Sequence, residues 1–361
     1  MNLRTVLILA AGLVTLVVVL LIADLGNERA IAPGEPLFAG MRSDINTITS
    51  ITVTAAGDEV VATLTPQGDG WGVAERNGYP ADTGKLRELL LALADARLVE
   101  AKTANPEYYS RLGVEDISAE EGGGVLVQIA TESSQYNAIV GDQTQGDYRY
   151  VRRAGEAGSW LIDKNPEAPS QTSDWLNDAI IDVDATLVHS VLIEHPDGQA
   201  IKLIKDEATQ TDFTVTEIPR DRELSYAGVG NVVGGVLDNL SLDDVGPAAE
   251  FGSEAVSTTF ETFDGRVIRI RSETIDADHW IQVSASYDAA LAARLAPPKD
   301  EEAGDNGSLT PADESPTMTS QETSDAVAAL TQHTQHWRYK IPQYKYEQLT
   351  RRWQDLLKAT D

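Results

Sequence analysis

The sequence contains no cysteine and little positive charge. Without cysteine the chain has no disulfide scaffold, no thiol nucleophile, no iron–sulfur cluster and no acylated lipoprotein cysteine. Lys and Arg number 28 against 57 Asp and Glu, which gives a net charge of −29. Such a chain repels the phosphate backbone of nucleic acid. We therefore expect neither thiol chemistry nor a nucleic-acid partner.

Long hydrophobic runs are also scarce, with one exception near the start. The run from Val6 to Ala23 carries no charge, and about 18 such residues suffice to cross most of the hydrocarbon core of a bilayer. A single run excludes a polytopic channel. It predicts an uncleaved N-terminal transmembrane helix, the alternative being a signal peptide cleaved after Ala30-Ile31-Ala32.

The charges around this run predict its orientation. Arg4 and the free amine precede it, whereas Asp24 and Glu28 outweigh Arg29 after it, which favours a cytoplasmic N-terminus. We expect a single-pass protein of the inner (cytoplasmic) membrane with its C-terminal domain in the periplasm.

The remaining chain contains an internal repeat. Ile48-x-x-Ile51-x-Val53 resembles Val188-x-x-Val191-x-Ile193, about 140 residues later. Each copy continues with a predicted helix, at 83–96 in the first and 229–240 in the second. Predicted hairpins follow in both copies, at Val125–Ile129 with Ala138–Val140 and at Thr258–Thr262 with Val267–Ile270. Each copy closes with two tryptophans at similar spacing, namely Trp160 and Trp175, then Trp337 and Trp353.

These patterns predict an α+β fold class, in which an N-terminal transmembrane helix precedes two tandem, internally duplicated, β-rich α+β subdomains. The predicted boundaries are 1–24 for the anchor, 25–45 for a tether, 46–183 for repeat 1 and 184–361 for repeat 2. Repeat 2 holds a stretch at about 297–325 that is rich in Asp, Glu, Ser and Pro. Such a composition cannot bury a core and predicts a disordered acidic insertion.

Motifs that would indicate catalysis, nucleotide binding or metal binding are weak. Gly141–Tyr148 has the glycine spacing of a phosphate loop but lacks its Lys and Ser/Thr, which favours a hairpin connection. Gly228–Gly234 lacks the context of a dinucleotide site, so a close-packed helix start is the better interpretation. His333 and His336 could share a metal but have no third ligand nearby in sequence. We predict no catalytic residue, no metal site beyond this weak pair, and no cofactor.

Aromatic and basic residues remain to be interpreted. The tryptophans Trp71, Trp160, Trp175, Trp280, Trp337 and Trp353 fall at apolar positions and are predicted to lie in the core. A basic C-terminal run stands out in so acidic a chain, comprising Arg338, Lys340, Lys345, Arg351, Arg352 and Lys358. The run could bind the chain's own acidic insertion, contact an acidic partner, or form a solvated helix surface.

Several motifs resemble a domain-of-unknown-function family of membrane-anchored periplasmic proteins. They are Trp71-x-Val73, Tyr79-Pro80-Ala81-Asp82, a Leu-rich helix, and Asn105-Pro106-Glu107-Tyr108-Tyr109-x-x-Leu112-Gly113-Val114. Members of that family are commonly encoded beside ABC-2-type or gliding-motility-like ABC transporter genes. The motifs look structural: Asp82 would cap a helix, and Gly113 would end one in a left-handed conformation.

The resemblance implies a membrane-anchored periplasmic accessory or scaffold subunit of an ABC-type transport system. Its partners would be the membrane, through Val6 to Ala23, and the permease and ATPase subunits or related envelope proteins. We expect a non-catalytic protein. The alternatives are a free-standing envelope module that binds glycan or peptide, and a hydrolase that uses carboxylates.

Overall fold

A computed structural model describes residues 32–296 and 318–359. These residues form two compact units. Unit 1 comprises the chain up to Thr63 together with Gly84–Ser170, and unit 2 comprises Leu64–Thr83 together with the chain from Gln171 onward. The division does not follow chain order, because the segment Leu64–Thr83 belongs to unit 2.

The first half of the chain forms a nine-stranded sheet. Its strands are β1 (Ile48–Ala55), β2 (Glu59–Gln67), β3 (Gly70–Val73), β4 (Tyr79–Pro80), β5 (Leu98–Ala101), β6 (Val125–Thr131), β7 (Gln135–Gln143), β8 (Arg149–Arg153) and β9 (Ser159–Ile162). Their order in the sheet is β4-β3-β2-β1-β6-β7-β8-β9-β5. The helices are α1 (Met41–Asp44) and α2 (Thr83–Asp95), with 3-10 turns that include Pro106–Arg111.

The second half forms an eight-stranded sheet and a two-stranded sheet. Strands β10 (Ala179–Ile181) and β14 (Leu240–Ser241) pair with each other. The others are β11 (Val188–Glu194), β12 (Ala200–Ile204), β13 (Thr214–Thr216), β15 (Asp244–Pro247), β16 (Val256–Thr262), β17 (Arg266–Ile275), β18 (Asp278–Tyr287) and β19 (Trp337–Lys340). The helices are α3 (Asn231–Gly234), α4 (Ala289–Leu295), α5 (Ser320–Thr334), α6 (Gln343–Leu349) and α7 (Trp353–Leu356).

Apart from β4, the two large sheets have the same strand order. The second sheet runs β13-β12-β11-β16-β17-β18-β19-β15, which matches β3-β2-β1-β6-β7-β8-β9-β5 strand for strand. A register shift also falls at the same place, between Ile48 and Ser50 where β1 pairs with β6, and between Val188 and Ser190 where β11 pairs with β16. Both large sheets therefore repeat one topology.

Alternation of apolar and polar residues explains the strands. Ile51 and Val53 of β1 are fully buried, as are Val191 and Ile193 of β11. Side chains two residues apart lie on one face of a strand. Each sheet therefore buries one face against its own core.

The predicted fold class is wrong. The described chain is mostly antiparallel β-sheet, and its helices are few and mostly short. Among residues 32–296 and 318–359, no helix is long and apolar enough to cross a membrane. The run from Val6 to Ala23, on which the transmembrane prediction rests, lies outside the described residues.

One predicted helix is confirmed, and the other is much shorter than its predicted range. Helix α2 covers Thr83–Asp95 and buries Leu86, Leu89, Leu90 and Leu93, as the leucine spacing predicts. The helix predicted at 229–240 is limited to Asn231–Gly234. A Cβ at Gly234 would overlap the ring of Phe213, so close packing of the backbone takes the place of a longer helix.

The acidic insertion is shorter than its composition suggests. Residues 320–325 form the first part of α5, which begins with a capping box between Thr319 and Glu322. In this arrangement the two residues satisfy each other's backbone amides. The rest of the insertion, 297–317, lies outside the described residues.

Candidate functional site

The segment around Tyr79 and Pro80 lies in unit 2 and is built by backbone pairing. Val73 pairs with Tyr79 and Gly72 with Pro80, and the Asp82 amide donates to the carbonyl oxygen of Trp175 at 2.9 Å. Helix α2 then begins at Thr83, directly after Asp82. The predicted motif residues thus fix where the chain leaves the sheet.

Aromatic side chains gather around Tyr79 in unit 2. The Tyr79 ring is fully buried and meets Trp337 edge-on, with 5.1 Å between ring centroids, and Tyr339 at 6.3 Å. Burial raises the pKa of the Tyr79 phenol, and the negative charge of Asp178 adds to this shift. Burial likewise raises the pKa of Tyr339. Both phenols therefore stay protonated at neutral pH and act in packing.

The Leu112-Gly113 motif lies in unit 1 and ends a turn of 3-10 helix, as predicted. The Asn105 side chain caps this turn by accepting from the Glu107 amide at 3.1 Å. Gly113 has a φ of 63°, a conformation that favours glycine. The Leu112 carbonyl then accepts from the Asp142 amide at 2.9 Å, which ties the motif to β7.

A buried arginine, which was not predicted from the sequence, holds this motif in place. Arg152 is 3% exposed, and its Nε donates to the Val114 carbonyl at 2.9 Å. Its guanidinium pairs with Asp116 and lies 4.5 Å over the Tyr109 ring. Tyr109, Val114 and Ile139 form a small core there. These family-motif residues therefore act structurally.

The tryptophans divide into two groups. Trp160 and Trp175 are 7% and 0% exposed and lie in the core, as predicted. The other four have intermediate exposure, so their placement in the core is wrong: Trp71, Trp280, Trp337 and Trp353. Each of the four is therefore partly accessible to solvent.

The two histidines singled out as weak metal candidates do not gather ligands. The His333 Nε2 atom lies 3.3 Å from the Ala179 carbonyl oxygen, and His336 is exposed. Within residues 32–296 and 318–359 there is no group of three or more metal-ligating side chains. This pair is accordingly no basis for a metal centre.

The basic C-terminal run binds mostly within unit 2. Lys340 pairs with Asp278 at 2.7 Å, Arg352 with Asp197 at 2.6 Å and Lys358 with Glu223 at 2.6 Å. The Lys345 ammonium donates to the carbonyl oxygens of Val236 and Asp238. Burial lowers the pKa of Lys345. Most of the run is therefore engaged in hydrogen bonds and ion pairs within unit 2.

Arg338 differs from the rest of the run. Its guanidinium lies 4.5 Å over the ring of Trp280, and its Nε is buried without a hydrogen-bond partner among the described residues. No carboxylate pairs with it in the part of the chain that the structure describes. This cation is available to a ligand.

Unit 1 contains a cavity of about 500 Å³ beside the N-terminal segment. Arg153 forms part of its wall and donates to the Leu37 carbonyl at 2.7 Å. The rings of Phe38 and Tyr136 line it with centroids 5.5 Å apart. Glu35 and Glu156 add two carboxylates. The cavity is wide open to solvent, and the Glu156 carboxylate in its wall pairs with Arg153 at 3.3 Å.

Comparison with known proteins identifies a family. A family model described as "Domain of unknown function (DUF4340)" matches residues 71–255, just over half of the chain, so the chain belongs to this family. No curated protein and no solved structure shows significant similarity to it. The match includes the Trp71, Tyr79, Leu112 and Gly113 motifs.

Proposed function

We propose that this member of the DUF4340 family is a non-catalytic accessory or scaffold subunit of an ABC-type transport system, located at the inner membrane with its folded part in the periplasm. The proposal depends on the N-terminal segment of unit 1. Ten residues after the apolar run 6–23, the chain is already part of the fold, since the Gly34 amide donates to the Leu98 carbonyl at 2.6 Å.

This short connection favours a role beside membrane domains. Residues 24–33 span at most about 35 Å when fully extended. A body held so close to the bilayer has a high effective concentration near any membrane-domain partner.

Purification from native membranes in mild detergent tests the proposal. We expect permease and ATPase chains to co-purify with the tagged full-length chain. A flexible Gly/Ser insertion of about 30 residues between Asn27 and Glu28 provides the matched control, because it lengthens the connection and leaves the described fold intact. We expect it to reduce the yield of the transporter chains. Recovery of the full chain without any transporter subunit would refute the proposal.

The cavity of unit 1 supports a second candidate, an envelope module that binds glycan or peptide. Phe38 and Tyr136 offer ring surfaces, and Glu35 offers a carboxylate for hydrogen bonds. Binding of soluble cell-wall glycan fragments and of short peptides can be measured by calorimetry. We expect Phe38→Ala to weaken binding if this function is correct, with Tyr344→Ala, at an exposed tyrosine of unit 2, as the control.

A further inference from the structure

One face of the eight-stranded sheet in unit 2 carries arginines. Ile268, Ile270, Ile281 and Val283 point into the core, so the alternate residues of β17 and β18 lie on the opposite face. Together with one residue of β19 they define what we term the arginine face: Arg269, Arg271, Trp280, Gln282, Ser284 and Arg338. Arg269 pairs with Ser284 and Arg271 with Gln282 across the ladder.

The corresponding face of the sheet in unit 1 is covered by its own chain. There Ile139 pairs with Arg152, as Arg271 pairs with Gln282 in unit 2. The chain between β5 and β6, 102–124, supplies Tyr109 and Val114 to cover Ile139. In unit 2 the chain between β15 and β16 is only 248–255. Arg269, Arg271 and Ser284 accordingly stay exposed.

The three arginines have no carboxylate partner among the described residues. Arg269 has a long hydrogen bond to the Thr259 hydroxyl at 3.5 Å, and Arg271 donates to the carbonyl oxygens of Phe251 and Gly252. Arg338 stacks on Trp280 with its Nε unpartnered.

Two carboxylates of the strands beside the arginine face are already engaged, whereas Glu250 and Glu254 of the adjoining segment 248–255 are exposed. Glu273 accepts from the Gly252 amide at 2.9 Å, and Asp278 pairs with Lys340. Unpaired cations grouped on one sheet face are unexpected in a chain with a net charge of −29. The geometry therefore leaves this face open to a carboxylate-bearing occupant.

We propose that the arginine face binds the chain's own acidic segment, 297–317. This segment carries one cation, Lys299, and six carboxylates, at Asp300, Glu301, Glu302, Asp305, Asp313 and Glu314. Arginine binds carboxylates with paired hydrogen bonds, and each pair that forms removes two uncompensated charges.

Both ends of the segment lie near the end of the β17–β18 pair where Arg266 pairs with Tyr287. Helix α5 packs on the core side, where the Tyr339 hydroxyl donates to the His333 carbonyl, so the segment would pass around this end of the strands to reach the arginine face. Helix α4 precedes it and is held at the start of β17, where the Asp288 amide donates to the Gly265 carbonyl at 2.8 Å. Helix α5 follows it and contacts β18, where the Thr331 hydroxyl donates to the Ala285 carbonyl at 3.3 Å. About 20 residues reach roughly 70 Å when extended, far more than the width of three strands.

Arginine modification measures this contact in the full chain. Phenylglyoxal reacts with accessible guanidinium groups, and mass spectrometry of peptides gives a rate for each arginine. We expect Arg269 and Arg271 to react several-fold faster when the six carboxylates are changed to amides. In the unaltered chain, about 1 M salt should have the same effect, because the Debye length falls to about 3 Å. Arg87, exposed on α2, serves as the reference and should not change.

A matched control separates the local contact from the change in net charge. The control variant has six exposed carboxylates of unit 1 changed to amides, at Glu59, Glu88, Glu120, Glu121, Glu132 and Asp147. It loses the same charge, and we expect it to leave the rates at Arg269 and Arg271 unchanged. Equal rates in the segment variant and the unaltered chain would overturn the proposal.

Limited trypsin digestion tests the same contact by measuring how accessible the acidic segment is to the protease. Lys299 is the one trypsin site within 297–317. We expect Arg269→Gln with Arg271→Gln to speed cleavage at Lys299 several-fold, while the circular dichroism spectrum stays that of the unaltered chain. The matched control is Arg87→Gln with Arg220→Gln. Cleavage at the same rate in all three proteins would show that the segment does not dock on this face.

Discussion

Glycine determines how the Leu112–Val114 motif approaches strand β7. A Cβ at Gly141 would overlap the Leu112 carbonyl oxygen and would lie 2.6 Å from Val114 Cγ1. Side-chain atoms cannot approach so closely without a shift of the backbone. The glycine that resembles the start of a phosphate loop in the sequence is therefore needed for packing.

We predict that Gly141→Ala lowers the free energy of unfolding by about 1–3 kcal/mol, the usual range for an overpacked site. Gly122→Ala is the matched control, since its nearest neighbour would be Ala56 Cβ at 3.8 Å, and we expect a change within about 0.5 kcal/mol. Urea unfolding measures both. A loss at Gly122 as large as that at Gly141 would show that close packing is not the cause.

The buried phenols of Tyr79 and Tyr339 predict a loss of stability at alkaline pH. Burial raises the pKa of each in the folded chain, whereas in the unfolded chain a tyrosine ionises near pH 10. The stabilisation is complete below about pH 10 and is lost as the pH rises further, because unfolding then releases protons.

We predict that Tyr339→Phe reduces the slope of unfolding free energy against pH above about pH 10, by up to about 1.4 kcal/mol per pH unit. Urea unfolding between pH 8 and pH 11 gives the slope. Tyr344→Phe, at an exposed tyrosine, controls for the loss of a phenol elsewhere. An unaltered slope in Tyr339→Phe would mean that this group does not titrate differently on unfolding.

Among the elements, the N-terminal segment differs most from its predicted role as a tether at 25–45. Leu37 and Met41 are 0% and 1% exposed, and the Leu37 amide donates to the Ala96 carbonyl at 2.8 Å. The Arg42 Nη1 atom donates to both carboxylate oxygens of Asp95, at 2.9 and 2.8 Å. At least from Gly34 onward, this segment is therefore part of unit 1 and covers the edge of β5.

We predict that Leu37→Ala lowers the free energy of unfolding by about 2–5 kcal/mol, as for other buried leucines. A free tether would give no change. Ala39→Ser, at an exposed neighbour, is the control and should stay within about 0.5 kcal/mol. Denaturant unfolding followed by circular dichroism measures both variants.

Elements with a strong period could be predicted from the sequence. The leucines of α2 and the alternating residues of β1, β6, β11 and β16 follow their helical and strand periods. The glycines of α3 indicated close packing, but its partner could not be predicted, because contact between Gly234 and the Phe213 ring is tertiary. The strand pairing also differs from the match made between the two repeats in the sequence. Val151 pairs with Trp160 in the first sheet, and the equivalent Ile281 pairs with Tyr339 in the second. The residue equivalent to Trp160 is therefore Tyr339 and not Trp337.

Over the whole molecule, distant contacts decide which charges are free. Arg352 and Asp197 are 155 residues apart in sequence, so nothing in the local pattern showed that much of the basic run is engaged. The candidate cavity could not be predicted either, because the contact between Phe38 and Tyr136 that lines it joins residues far apart in sequence. The structural role of the family motifs was predicted from the sequence, but the contacts of Arg152 and Gly141 that hold Leu112–Val114 in place were not.

The net charge of −29 predicts that salt stabilises the whole molecule. Repulsion among like charges opposes the compact state, and ionic strength from about 0.01 M to 0.15 M shortens the Debye length from about 30 Å to 8 Å. We expect Tm to rise by a few degrees in NaCl and equally in KCl, because screening depends on ionic strength. Calorimetry measures Tm. A fall in Tm would mean that ion pairs such as Arg76–Asp244 outweigh the repulsion.

The assignment of Leu64–Thr83 to unit 2 matters when the polypeptide is synthesised or exported from its N-terminus. These residues are synthesised early, but the rest of unit 2 begins at Gln171. Unit 2 can therefore complete its fold only after the later part of the chain is available. Severing the gene at the repeat boundary 183/184 would separate Leu64–Thr83 from most of unit 2, while β2 and β3 would keep their neighbours in the nine-stranded sheet. The N-terminal product would then carry on that sheet a surface that the rest of unit 2 normally covers.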